Sequence, residues 1–262
     1  MPTKISWANE VLNVTSGCTH ASFGCQNCYA ERMAKRLKGM GIQQYQTVVN
    51  ENGWTGKVVV NMDVLERPRH WIKPRRIFVD SMADLFVHND AWLPTEFYVA
   101  LFSVMLATPQ HTYVLLTKRP LQAANRYRVI KNYLSKHLDA PFPWPLPNVW
   151  LGVSIENNDW AYWRVSELLK IPAALHFVSC EPLLGAIDLA PWIDKLGWVC
   201  AGCESGPGRR PALANWFYRL REQCVEANVP FFLKQMEIDG KLVHMPAGLN
   251  GVVWNQIPER KA

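Results

Sequence analysis

No apolar run in this chain approaches the length that crosses a bilayer, no tract is of low complexity, and nothing repeats at a fixed period. Those absences set aside membrane channels, disordered scaffolds and solenoids. No leader peptide is seen ahead of Trp7, so a cytoplasmic setting without membrane contact is expected. Charge is sparse: 19% of residues are Asp, Glu, Lys or Arg, against about a quarter in ordinary domains. A disulfide framework is also missing. The 7 cysteines are an odd number, and Cys180, Cys200, Cys203 and Cys224 stand singly or within apolar runs, which fits a reducing compartment. What remains is 49% hydrophobic over 262 residues, enough for one large core, and a single domain over 1–262 is expected. A net charge of +6 mildly favours a polyanionic partner.

One further absence shapes the functional reading. Cys18, Cys25 and Cys28 crowd into GCTHASFGCQNCYA (17–30), yet no fourth cysteine lies near them, and His20 is the only local imidazole. Three thiols at Cys-x₆-Cys-x₂-Cys spacing suit a [4Fe–4S] cluster with three protein ligands and one iron left open for a small molecule. Two alternatives stay open: a zinc site completed from far along the chain, and buried thiols without metal. Gly17 and Gly24 let the backbone wrap tightly, and AERMAKRLK then reads as a helix.

Beyond this loop, apolar runs alternate with helical segments. VLNVTSGC, RRIFVDS, TYVLLTKR, VWLGVSIE, LHFVSCEPL, GWVCAGCES and PFFLKQ read as strands, with GKVVVN as an extra short strand near Asn52-Gly53. Near-continuous apolar strands separated by helices imply a parallel sheet buried on both faces. The expected fold is therefore α/β, a partial or near-complete parallel (β/α) barrel with a small β-hairpin insertion and a C-terminal extension from about 236 to 262. Polar residues gather at the C-terminal ends of the runs: Asp80 and Ser81; Thr117, Lys118 and Arg119; Ser154 and Glu156; Ser179 and Glu181; Glu204 and Ser205; Lys234 and Gln235. In a parallel barrel those ends share one rim with the cysteine loop, and that rim is where sites are built. Each residue taken singly also reads as a cap or a solvated turn. The tryptophans, including Trp160 and Trp163, are expected to fill the shell between barrel and helices. Cys200 and Cys203 form a second Cys-x₂-Cys, but they span a strand end, which disfavours a second metal site.

GCTHASFGCQNCYAERMA, IFVDSMADLF, YVLLTKRP, NVWLGVSIEN, SCEPLLG, GCESGPGRRP and PFFLKQ, in this order, resemble the phage- and prophage-associated three-cysteine-motif family of radical S-adenosylmethionine proteins of bacterial cells. The chain differs where the family commonly has Gly-Gly-Glu-Ser-Gly, since Cys203 takes the second glycine's place. The resemblance implies a radical S-adenosylmethionine barrel, with Cys18, Cys25 and Cys28 on a [4Fe–4S] cluster, S-adenosylmethionine as cofactor and an external one-electron reductant. By rim position, Asp80 and Ser81 are assigned to the methionine amino group, Ser154 and Glu156 to carboxylate or ribose, and Lys118 or Arg119 to the carboxylate. Glu181, Glu204 and Ser205 complete the cofactor set, and Cys203 is a candidate hydrogen donor to a carbon radical. The expected substrate is a nucleic-acid base or nucleotide, its phosphates met by Lys118, Arg119, Arg209, Arg210 and Lys234, or by the cationic stretch Arg67–Arg76. A non-catalytic nucleic-acid- or protein-binding module with a structural zinc is the alternative.

Overall fold

Runs of β-branched and aromatic residues ending at polar or glycine positions become the strands of one curled, mostly parallel sheet. The computed structural model describes residues 3, 5–87, 93–246 and 249–259. The first strand, β1 (Glu10–Leu12), is followed by a two-residue strand β2 (Thr15–Ser16), helix α1 (Tyr29–Gly39), a hairpin of β3 (Val49–Asn50) with β4 (Gly53–Trp54), and β5 (Val59–Val60). The remaining strands are β6 (Arg76–Val79), β7 (Thr112–Thr117), β8 (Val149–Ser154), β9 (Leu175–Cys180), β10 (Trp198–Gly202), β11 (Phe231–Ile238) and β12 (Lys241–His244). Helices α2 (Thr95–Ala107), α3 (Pro120–His137), α4 (Asn158–Leu168) and α5 (Ala214–Glu226) connect parallel neighbours.

The eight-stranded sheet runs β1-β6-β7-β8-β9-β10-β11-β12, with every pair parallel except β11 with β12. It forms a partial barrel, as the alternation of apolar runs and helices implies. The expected hairpin insertion is present as β3–β4, while β5, from GKVVVN, pairs antiparallel with β2. VLNVTSGC does not form one strand. It leaves the main sheet after Leu12, because the Thr15 backbone is drawn to the Asp80 carboxylate and Val14 O accepts from Asn61 N at 2.7 Å.

Period-two alternation sorts the side chains onto two faces. Ile77, Val79, Tyr113, Leu115, Leu151, Val153, Val178, Val199 and Ala201 join the helices in the main core. Phe78, Val114, Trp150, Phe177, Trp198, Cys200 and Phe232 point the other way and pack with Trp7. Trp7, Trp150 and Trp198 therefore floor the inside of the curl, contrary to the expectation that tryptophan fills the outer shell. Trp163 also departs from that expectation, being 39% exposed. After β12 the chain turns back, bridges Asn255 to Phe232 and accepts the Trp198 indole N–H on Gln256 O, so the C-terminal extension seals the base of the floor.

Candidate functional site

The cysteine loop starts where β2 ends and arches over the strand ends to α1. Gly17 has φ +104°, and a Cβ there would stand 2.2 Å from Lys57 O, so no other residue fits this turn. Cys25 ends a short 3₁₀ turn over Phe23–Cys25, and Cys28 sits at the N-cap of α1 with its N–H on Cys25 O. The Ala21 N–H points at Cys25 Sγ (3.5 Å), and Cys18 Sγ lies 4.0 Å from Arg119 Nη1. All three thiols are free and half-buried, whereas Cys180, Cys200, Cys203 and Cys224 are buried. Burial, and then Asp84, push the Cys18 thiol up to about 12, with Arg119 opposing and Cys28 and Cys25 adding their own repulsion. Cys28 and Cys25 thus lie close enough for their charge to oppose ionisation of Cys18, and any metal held by these thiols would have to displace their protons. His20 Nε2 instead pairs with Glu31 at 2.8 Å.

Two buried carboxylates brace this loop. Asp84, in IFVDSMADLF after β6, accepts from Thr117 Oγ1 (2.7 Å), Phe86 N (3.0 Å), Lys118 N (3.0 Å) and Arg119 Nη1 (2.9 Å). The same guanidinium donates through Nη2 to Thr19 O and Thr19 Oγ1, so Arg119 ties the end of β7 to the segment carrying Cys18. Burial alone would lower Arg119, yet Asp84 and Cys18 outweigh it and hold the guanidinium above its ordinary value. Glu156, past β8, accepts from Ser22 Oγ (2.9 Å), from Arg164 Nη1 (3.0 Å) and from Lys118 Nζ. Burial opposes its charge, but Lys118 and Arg164 keep it below the usual carboxylate range. Arg164 is fully buried on α4, its guanidinium 4.1 Å over Trp160.

Gly24 is what lets the loop sit on Glu156, because a Cβ there would lie 2.4 Å from Glu156 Cγ. Gly24→Ala is expected to lift the loop and cost about 1–3 kcal/mol, the usual range for overpacking. The urea midpoint measures it, and Gly39→Ala, where a Cβ meets nothing within 4 Å, is the control.

A second loop, 203–210, locks the other side. Asn27 Nδ2 donates to Glu204 Oε2 (2.8 Å), Arg210 N and Nε reach the same oxygen, and Arg210 lies 4.5 Å over the Phe23 ring. Arg32 of α1 donates to Ser205 O and Pro207 O, in the space that Gly206 leaves free at φ +90°. Cys203 is 3% exposed and packs in the helix-side core, its carbonyl accepting from Gln235 Nε2. The thiol at this position thus belongs to the outer layer, whereas Cys200 faces the inner floor. The two cysteines of that Cys-x₂-Cys occupy opposite faces.

The rim brings together the residues chosen from sequence, and many of them are engaged with one another. Both Asp80 oxygens accept from Thr15, at 2.9 Å from N and 2.7 Å from Oγ1, with Asp80 itself at φ +58°. Burial pushes its carboxyl up to about 7 against those two bonds. Ser81 Oγ donates to Asn13 Oδ1, and Ser81 O accepts the Tyr29 hydroxyl. The rim cations each meet a carboxylate: Lys118 with Glu156, Arg119 with Asp84, Arg209 with Glu237, Arg210 with Glu204 and Lys234 with Glu181. The stretch Arg67–Arg76 enters β6 from its N-terminal end, at the far side of the sheet, where Arg69 pairs with Glu66 and Arg75 with Glu10. By contrast, the Ser154 and Ser179 hydroxyls have no hydrogen-bond partner among the described residues, although the two residues are 7% and 4% exposed. Asp84, Ser22, Asn27, Arg32 and Arg164 were not singled out from the sequence. A second acidic residue four positions after Asp80, inside an apolar run, was the available signal for Asp84.

Among the described residues, no three His, Cys, Asp or Glu side chains converge as the ligands of a single ion do. A zinc ion asks four ligands to lie about 2 Å from one point. A multi-iron core asks less of the fold, since each thiolate takes its own iron, and three soft thiol donors on one glycine-containing loop fit that demand. No curated protein and no solved structure matches the chain significantly. A family model does match, over residues 2–258, under the description "Protein of unknown function (DUF5131)", and with nearly the whole length covered the chain belongs to that family.

Proposed function

We propose that the chain is a radical S-adenosylmethionine enzyme in which Cys18, Cys25 and Cys28 hold a [4Fe–4S] cluster. One observation carries this reading: three half-buried thiols share a loop laid across the C-terminal ends of a parallel sheet, and buried charges fix that loop from three sides. When bound, such a cluster supplies one electron to S-adenosylmethionine and breaks a sulfonium carbon–sulfur bond, giving methionine and a 5′-deoxyadenosyl radical.

The chain's own part is holding and shielding. Arg119, anchored by Asp84, keeps Thr19 and Cys18 in register with β7, and its positive charge near Cys18 Sγ favours the thiolate. Glu156, neutralised by Lys118 and Arg164, supports the loop at Ser22 and Gly24. Among the residues assigned to the cofactor, Ser154 has a hydroxyl free for ribose or carboxylate, whereas Asp80, Arg119 and Glu204 already hold backbone and loop. The aromatic floor keeps water and stray hydrogen donors from below.

Anaerobic reconstitution with iron and sulfide is the first test. The expected product is brown, carries about four irons per chain, and changes its electron paramagnetic resonance spectrum when S-adenosylmethionine is added. A colourless protein with one tightly held zinc contradicts the proposal and favours the binding module.

A further inference from the structure

We propose that the inner face of the sheet, between its aromatic floor and the cysteine loop, is a pocket for an uncharged ligand carrying a hydrogen-bond donor beside an acceptor on one planar edge, the chemistry of a nucleobase. The inward positions on four adjacent strands change character from base to rim. They read Trp150, Gly152, Ser154 on β8; Phe177 and Ser179 on β9, with Glu181 just past its end; Trp198, Cys200, Gly202 on β10; and Phe232, Lys234 on β11. Rings fill the base, and small or polar groups stand above them. Ser154 and Ser179 are register partners on neighbouring strands.

The unmet capacity of this layer defines the ligand. Lys234 Nζ donates to Glu181 Oε2 at 2.6 Å, and no other partner of that ammonium is found among the described residues. An ammonium has three donors, so two remain. Glu181 Oε1 and the Ser179 hydroxyl are likewise unpartnered, and Ser179 is 96% buried. Gly202 makes room for the carboxylate, since a Cβ there would lie 3.0 Å from Glu181 Oε2. Burial would lower Lys234, but Glu181 outweighs it and holds the ammonium above its ordinary value. An incoming anion would compete with Glu181 for the ammonium and leave a half-dry carboxylate unpaired, which is strongly unfavourable. A neutral edge with adjacent acceptor and donor meets both charges without separating them. Lys118, Arg119, Arg209 and Arg210 each meet a carboxylate as well, so none of these four stands free for a phosphate backbone. This favours a free base or nucleoside over a strand held by its phosphates.

That the ligand is the substrate rests on the radical reading; that the pocket binds it does not. The test is calorimetric titration of the full chain, iron-loaded and iron-free, with guanosine, adenosine, uridine and cytidine, their 5′-monophosphates and inorganic phosphate, each with and without saturating S-adenosylmethionine. At least one nucleoside is expected to bind with little salt dependence, its monophosphate no more tightly. Glu181→Gln and Lys234→Met should each weaken it about tenfold or more, and Ser179→Ala severalfold, with circular dichroism unchanged. Binding by none of the four nucleosides, binding unaffected in all three variants, or phosphate binding lost in Lys234→Met overturns the proposal. So does competitive displacement of every nucleoside by S-adenosylmethionine, which would make this the cofactor's own pocket. If iron and cofactor cleavage fail while nucleoside binding persists in the iron-free chain, the radical reading falls and the pocket stands.

Discussion

Cys25→Ala is expected to leave the reconstituted protein without the absorbance of a cubic cluster, and Cys18→Ala and Cys28→Ala to do the same. Two sulfur ligands do not retain a cube that already lacks a fourth. The remaining cysteines cannot substitute. Cys180, Cys200 and Cys224 are at most 1% exposed, and Cys180 and Cys224 lie in the helix-side core. Cys180 ends β9 and Cys224 lies on α5, so neither sits on the loop that carries the three thiols. Cys224→Ala should therefore keep the full iron content while losing a little packing. Iron and sulfide assays on the four variants, purified side by side, read the difference. Full iron in Cys25→Ala would contradict the ligand assignment.

The second large effect lies beside the thiols. Asp84→Ala removes an acceptor of four hydrogen bonds and strands Arg119, in a pair whose side chains are 8% and 10% exposed. Removing one partner of a buried ion pair costs about 3–5 kcal/mol, because the other charge stays buried and uncompensated. Urea unfolding of the metal-free chain should show a loss of that size. Asp84→Ala with Arg119→Met should recover part of it, since no unpaired charge is then left. Both variants should also hold iron less firmly, because Thr19, next to Cys18, is anchored through Arg119. An unfolding midpoint unchanged in Asp84→Ala would mean that the pair does not brace the loop.

The parallel sheet was legible because buried strands leave long apolar runs, and the runs at Ile77–Val79, Val114–Leu116 and Val149–Val153 become neighbours in the order the alternation implies. The rim was legible for the same reason, since polar residues at strand ends share one edge in a parallel sheet. Which of those groups hold the loop and which are free was not legible. Asp80 answers to Thr15, 65 positions away, and Arg119 to Thr19, 100 positions away, and no local pattern records such pairings. The same holds for Cys203. Its motif suggested a rim thiol, but alternation with Val199 and Ala201 sends it to the outer core. The inward ladder from Trp150 to Ser154 and from Phe177 to Glu181 is a sequence signal that could have been read as a floored pocket, because its period of two is plain once the strands are placed.

The most direct measurement is the release of 5′-deoxyadenosine from S-adenosylmethionine by the anaerobic, iron-loaded protein with dithionite, followed by chromatography and mass spectrometry. The account predicts 5′-deoxyadenosine and methionine in equal amounts from the native chain and none from Cys25→Ala. A native protein that binds four irons yet leaves S-adenosylmethionine intact would contradict it.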